Sequence, residues 1–298
     1  MGQRSQLYIR YKNGKNLVAM HLQWNYGYYM INRTYQLLDY ISKNIRSEYN
    51  NFKEQHFDIA NSKSTREDID ILQNLIQMNT TIGSYVSGWD LVKEELEYGD
   101  NGIETFKMNP YKQHNNNGIL VIDIKEDGTI KYGLGGGYEE VGNEDYDMIS
   151  ARKYFELSEK NYENKYKLVN SNKDLYNKVM EELDIIDTFE VLTNEEKDEI
   201  FNTEYKYEDC IKPKDLEELK IEKLKKDIRI YIDCYLENDD EFTIKNEEKF
   251  RKIQNDEKTL NELARKLYDN EVLNSIKDID KYNYERNYYI NELLDKVV

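Results

Sequence analysis

Ile119–Leu134 reads ILVIDIKEDGTIKYGL. Two β-type runs, Ile119–Ile124 and Thr129–Leu134, flank Glu126-Asp127-Gly128. Asp-Gly suits a tight hairpin turn because glycine takes positive φ without strain. This is the clearest hairpin in the chain, and it predicts an antiparallel sheet. Leu7–Tyr11 and Leu17–Trp24 are two more β-type runs, joined by Lys12-Asn13-Gly14-Lys15 with its Asn-Gly turn. Met30, Tyr35, Leu37, Leu38, Ile41 and Ile45 then recur at helical spacing, and Asp68–Met78 reads as a second helix. The expectation is an α+β fold: an antiparallel sheet of about four strands with helices packed on one face.

The remainder of the chain has a different texture. All 14 glycines lie between Gly2 and Gly142. Residues 1–142 hold 15 Lys/Arg and 18 Asp/Glu, a net of −3, whereas residues 143–298 hold 27 and 41, a net of −14. These shifts predict an α+β core domain over 1–142 followed by an all-helical acidic domain or arm over 143–298. Leu216, Leu219, Leu224, Ile228, Tyr231, Ile232 and Tyr235 mark one apolar stripe, with Pro213 as its helix starter. Thr193-Asn-Glu-Glu196 matches a capping box. Further helices are expected around Leu260–Ile276 and Tyr289–Val297.

Composition narrows the function classes. The chain has 298 residues, 27 of them Tyr, and carries a formal charge of −17. It is long enough to bury a core without disulfides, and its two cysteines, Cys210 and Cys234, form no framework. A cytoplasmic protein without a signal peptide or membrane span is expected. The net charge argues against direct binding of nucleic acid, which needs positive surface. Low Ala and Pro with abundant Lys, Asn, Ile, Tyr and Glu point to an AT-rich genome, that of a low-GC bacterium or its phage.

Motifs for chemistry are sparse. Tyr132–Gly142 is glycine-rich, but Tyr138 and Glu140 fall where a dinucleotide fingerprint needs glycine, and Asn143 replaces the Walker lysine. Asp123–Gly128 opens like a calcium loop, yet Lys125 takes a ligand position and Leu134 stands in for the bidentate glutamate. His21, His56 and His114 belong to no metal or hydrolase motif. No catalytic set, metal or cofactor is expected. The one candidate ligand-binding corner is Trp24-Asn25-Tyr26-Gly27, where a strand gives way to a helix. There Trp24, Tyr26 and Arg33 offer stacking surface and a cation. The alternative for the same residues is a corner that staples the sheet to its first helix, with Gly27 at positive φ.

Met1–Tyr11, MGQRSQLYIRY, together with Leu22–Arg33, LQWNYGYYMINR, resembles uncharacterised accessory proteins of phages and prophages of low-GC Firmicutes. The resemblance covers residues 1 to about 45. It implies a viral protein acting in the host cytoplasm, in the manner of inhibitors of host defence such as anti-CRISPR, anti-Gabija or anti-Thoeris proteins. The expected function is a non-enzymatic inhibitor that binds and blocks a bacterial defence complex. Its acidic helices would occupy the basic channel of a nucleic-acid-handling enzyme. Glu217, Glu218 and Glu222 flank the stripe of one helix and are the candidate partner contacts. A sponge or hydrolase for a nucleotide signal, and a phage structural or assembly protein, are the alternatives. Self-association into an oligomer is left open.

Overall fold

Gly128 adopts φ 82°, and the amide of Lys125 donates to the Thr129 carbonyl at 2.9 Å, closing the turn of the expected hairpin. Its strands pair in antiparallel register from Ile119↔Gly135 to Ile124↔Ile130. The computed structural model describes residues 4–11, 14–23, 25–45, 63–77, 88–99, 103–110, 118–135, 147–160, 163–237, 241–276 and 278–297. By contact the chain divides into two units. Met1–Val92 and Lys107–Cys210 form the first, and Lys93–Phe106 and Ile211–Val298 the second.

The first unit is built on a sheet of six strands among the described residues. In chain order they are β1 (Arg4–Tyr11), β2 (Asn16–Gln23), β3 (Gly88–Asp90), β4 (Ile119–Ile124), β5 (Ile130–Gly135) and β6 (Glu190–Val191). Their spatial order is β3-β2-β1-β4-β5-β6. The β1–β2 hairpin leaves one edge of β1 open, and β4 fills it running parallel, with Gln6↔Ile119 through Tyr11↔Ile124 in register. β6 also pairs parallel, with Tyr132↔Val191.

The helices of this unit are α1 (Tyr28–Tyr40), extended by a π-helical turn (Ile41–Ile45), and α2 (Lys63–Gln77). α3 (Leu91–Tyr98) falls almost wholly in the second unit. α4 (Ala151–Lys160), α5 (Leu168–Ser171), α6 (Lys173–Ile186), α7 (Asn194–Asn202) and α8 (Tyr207–Cys210) complete the first. Leu7, Ile9 and Tyr11 of β1 enter one core with Leu37 and Leu38 of α1, Leu72 of α2, Tyr154 of α4, and Val179 and Leu183 of α6. Each such side chain removed from water contributes about 1.5–3 kcal/mol. The alternate residues Tyr8 and Arg10 point to the other face. There the Tyr8 ring meets Phe201 of α7 edge-on at 5.0 Å, and Arg10 reaches Glu199 of α7 at 2.8 Å.

The sheet is thus mixed and six-stranded, not a four-stranded antiparallel one, and it is covered on both faces. Parallel pairing leaves no local mark in sequence, because its two strands lie far apart along the chain. The division of the chain also falls elsewhere than 142–150. α4 and α6 bury Tyr154, Phe155, Val179, Leu183 and Ile186 against the sheet, and β6 adds a strand to it, so the chain up to Cys210 groups with the first unit. The glycine and charge shifts mark where strands give way to helices. Residues 136–146, at the expected junction, lie outside the described residues.

The second unit is helical. Its C-terminal part contains α9 (Pro213–Leu236), α10 (Glu241–Asn255), α11 (Glu257–Tyr268), α12 (Glu271–Asn274) and α13 (Ile279–Val297). Pro213 sits in the first turn of α9, where its missing N–H would have no partner in any case. Leu216, Ile221, Leu224, Ile228 and Ile232 of α9 are buried, as are Leu260, Leu263 and Leu267 of α11 and Ile290 and Leu294 of α13. Among the described residues no helix is long and apolar enough to cross a membrane.

Candidate functional site

Of the three residues of the candidate ligand-binding corner, Tyr26 and Arg33 are described. Trp24 lies outside the described residues. Gly27, at φ 58°, turns the chain into α1, and Asn25 just before it is fully buried, donating from Nδ2 to Ser5 Oγ at 3.2 Å. Tyr26 is half-buried at this entrance. Arg33 lies two turns further on, with no exposed surface, and its Nη1 donates to the Leu75 carbonyl of α2 at 3.1 Å. Burial pulls its guanidinium down to about 10. Arg33 therefore joins α1 to α2 inside the core.

Burial shifts two titratable side chains, His21 and Cys210. The His21 ring stacks on Trp89 at 3.9 Å and is buried, and among the described residues neither ring nitrogen has a hydrogen-bond partner. Burial, with Arg4 adding repulsion, pulls it down to about 4, so it is neutral near pH 7. Burial pushes the Cys210 thiol up to about 12, which leaves little thiolate for attack. Among the described residues no group of three or more His, Cys, Asp or Glu is placed to hold a metal ion.

Charge on the second face of the sheet is organised into a clamp. Arg10 Nε and Nη2 donate to Asp123 Oδ1 and Oδ2, each at 2.8 Å, and Nη1 donates to Glu199 at 2.8 Å. Burial opposes the charge on Arg10, but these carboxylates outweigh it and raise its pKa. Glu196, in the first turn of α7, receives Lys125 Nζ at 2.6 Å and Lys131 Nζ at 3.0 Å. It also closes the Thr193 capping box. Burial alone would raise this carboxyl; Lys125, the Thr193 amide and Lys131 overcome that and hold it at about 2.

The clamp fixes α7, which follows α6 in the chain, in a stretch of concentrated negative charge. Residues 143–210 hold 9 Lys/Arg and 19 Asp/Glu, a net of −10, whereas residues 211–298 hold 18 and 22, a net of −4. Glu181, Asp184, Asp187, Glu190, Glu195 and Asp198 are exposed. Glu181 and Asp184 occupy the last two turns of α6, and Asp187 is its C-cap; no basic residue lies in its last turn. Asp184 and Asp187, in the last turn and at the cap, oppose the helix dipole, at about 0.3–1 kcal/mol each. Among the described residues Arg152 offsets both, at 2.8 Å from Asp184 and 2.7 Å from Asp187.

The three glutamates expected to touch a partner lie exposed on α9. Glu217 receives Arg265 at 3.4 Å and Glu222 receives Lys225 at 2.8 Å, so two of the three are engaged within their own bundle. Counting charge by halves hid the acidic segment; a window of some 70 residues would have found it.

No protein-family model matches the chain, and no curated protein and no solved structure matches it either.

Proposed function

We propose that this protein is a non-enzymatic inhibitor that docks on a basic surface through the exposed carboxylates of the segment running from the end of α6 to the start of α7. The observation that carries the reading is the net −10 of residues 143–210, with exposed carboxylates placed at the end of α6 where folding alone disfavours them. Arg152 offsets Asp184 and Asp187 within the chain, and a partner of opposite charge would compensate the remaining exposed acids. α7 is anchored to the sheet by Arg10, Lys125 and Lys131, and α6 by the buried Val179, Leu183 and Ile186, so the carboxylates between them are carried on packed helices. In keeping with the phage-like opening of the chain, the target is a bacterial defence complex in the host cytoplasm, and its basic surface is one that handles nucleic acid.

The test uses the partner recovered from host lysate on the wild-type chain, followed by binding kinetics with Glu181→Lys/Asp184→Lys. Lysine at a helix C-terminus suits the dipole, so the variant keeps its fold while its on-rate falls at least tenfold at low salt. An unchanged on-rate would overturn the acidic-segment reading.

A further inference from the structure

In the second unit, α9 and α13 bring together a set of donors that exceeds the acceptors beside them. Lys223 and Asp227 are one turn apart on α9, and Tyr282 and Arg286 one turn apart on α13. Arg286 Nη1 donates to Asp227 Oδ2 at 2.7 Å, and Lys223 Nζ donates to the Gly99 carbonyl at 2.7 Å. The Arg286 guanidinium lies 5.9 Å from the Tyr282 ring centroid. Three donors remain unused among the described residues. Arg286 Nε is buried without an acceptor. Tyr282 is 6% exposed, and among the described residues no hydrogen bond is made by its hydroxyl, which is not one of the fully buried atoms. Lys223 is buried and has two further N–H groups. Of these, Arg286 Nε is fully buried, and an unsatisfied polar group there carries a desolvation cost that a ligand can recover.

We propose that Lys223, Tyr282 and Arg286 form a binding site for a small oxyanion, a carboxylate or a phosphate. Its oxygens accept from Arg286 Nε, the Tyr282 hydroxyl and Lys223 Nζ, while Asp227 keeps the guanidinium oriented. The site takes an anion because a cation would meet Lys223 and Arg286, and the one carboxylate in hydrogen-bond contact is already engaged. Lys226, held over the Tyr98 ring at 4.1 Å, adds positive field, and Glu95 and Glu104 act on Lys223 and Tyr282 only through longer-range charge. Solvent reaches the site, since the side chains of Arg286 and Asp227 are 15% and 17% exposed. Burial, with Arg286 adding repulsion, lowers the Lys223 pKa, which an arriving anion would reverse. Burial raises the Tyr282 hydroxyl, so it remains a donor at neutral pH. The site is independent of the acidic segment from the end of α6 to the start of α7.

The experiment is thermal unfolding of the full chain in sodium phosphate, sodium acetate and sodium chloride at matched ionic strength. The expected result is a saturable rise in Tm with phosphate, acetate or both, beyond that of chloride. Phosphate alone assigns the site to phosphoryl ligands, and acetate alone to carboxylates. Tyr282→Phe, which removes a hydroxyl without a partner, should be as stable as the wild type or more so in chloride, yet lose most of the oxyanion-specific rise. Arg286→Lys, which keeps the charge facing Asp227 but lacks Nε, should weaken the same response at least several-fold. Rises no greater than with chloride, or rises unchanged in both variants, would overturn the site.

Discussion

The end of α6 and the face of α9 both carry exposed acids, and the two regions use them differently. On α9, Glu217 and Glu222 meet Arg265 and Lys225 within the bundle, and they sit toward the helix start or beside a lysine three residues on. On α6, Glu181, Asp184 and Asp187 cluster at the negative end of the helix. The first arrangement is what a helix needs to be soluble and stable. The second sets acids against the helix dipole, with Arg152 of the same chain offsetting Asp184 and Asp187 but a larger negative excess left around them. Net charge alone does not separate these cases; position along the helix does.

The comparison depends on α6 belonging to the first unit, and the largest expected effect tests that. A chain truncated after residue 142 loses Tyr154, Val179, Leu183 and Ile186 from under the sheet. It should fail to fold cooperatively, seen as lost chemical-shift dispersion and a missing thermal transition. A well-folded 1–142 fragment would restore a boundary near 142–150. Next in size is Arg10→Ala, which strands Asp123 in the sheet interior. Removing one partner of a buried pair costs about 3–5 kcal/mol, measured by denaturant unfolding. Arg10→Met/Asp123→Leu should recover much of this loss, and a single mutant within about 1 kcal/mol of wild type would remove the clamp.

Acid dependence then separates two groups. His21 titrates at about 4 in the fold instead of the ordinary 6.5. The unfolded chain takes up that proton first, so stability falls as pH drops from 6.5 toward 4. Glu196 titrates at about 2 instead of 4.5, so its contribution is complete above 4.5 and is lost as pH falls toward 2. His21→Phe should flatten the upper window and Glu196→Gln the lower one in pH-dependent denaturation curves. A His21→Phe profile that matches wild type would mean that the imidazole is not held neutral. The smallest expected change is in stability on charge reversal. Glu181→Lys/Asp184→Lys and Glu217→Lys/Glu218→Lys/Glu222→Lys should each move stability by about 0.5 kcal/mol or less. Only the first should slow partner association, and the reverse outcome would return the contact to α9.

What could be read from sequence was what depends on neighbours along the chain. The hairpin around Gly128, the Thr193 capping box, the Pro213 helix start and the stripe through Leu224 and Ile228 all rest on spacings of a few residues. The parallel pairing of β1 with β4 does not, nor do β3 and β6, which are too short to show alternation. Arg10 and Asp123 are 113 positions apart, and no local rule joins them. Arg33 reads as a cation for a ligand, because its type does not reveal that α1 turns it toward Leu75. His21 shows the same limit, since its stacking on Trp89 depends on an edge strand the pattern did not contain.

The central place of β1 also governs the birth of the protein. β1 and β2 can zip together as soon as they leave the ribosome, but the other edge of β1 has no mate until β4 is made. At the usual ~5–20 residues per second of synthesis, those 113 positions take on the order of ten seconds. Throughout that interval the nascent chain displays an apolar strand with an open row of amides and carbonyls, the template from which intermolecular pairing starts. Expression yield should therefore respond to translation speed and to holding chaperones far more than the stability of the finished sheet would suggest.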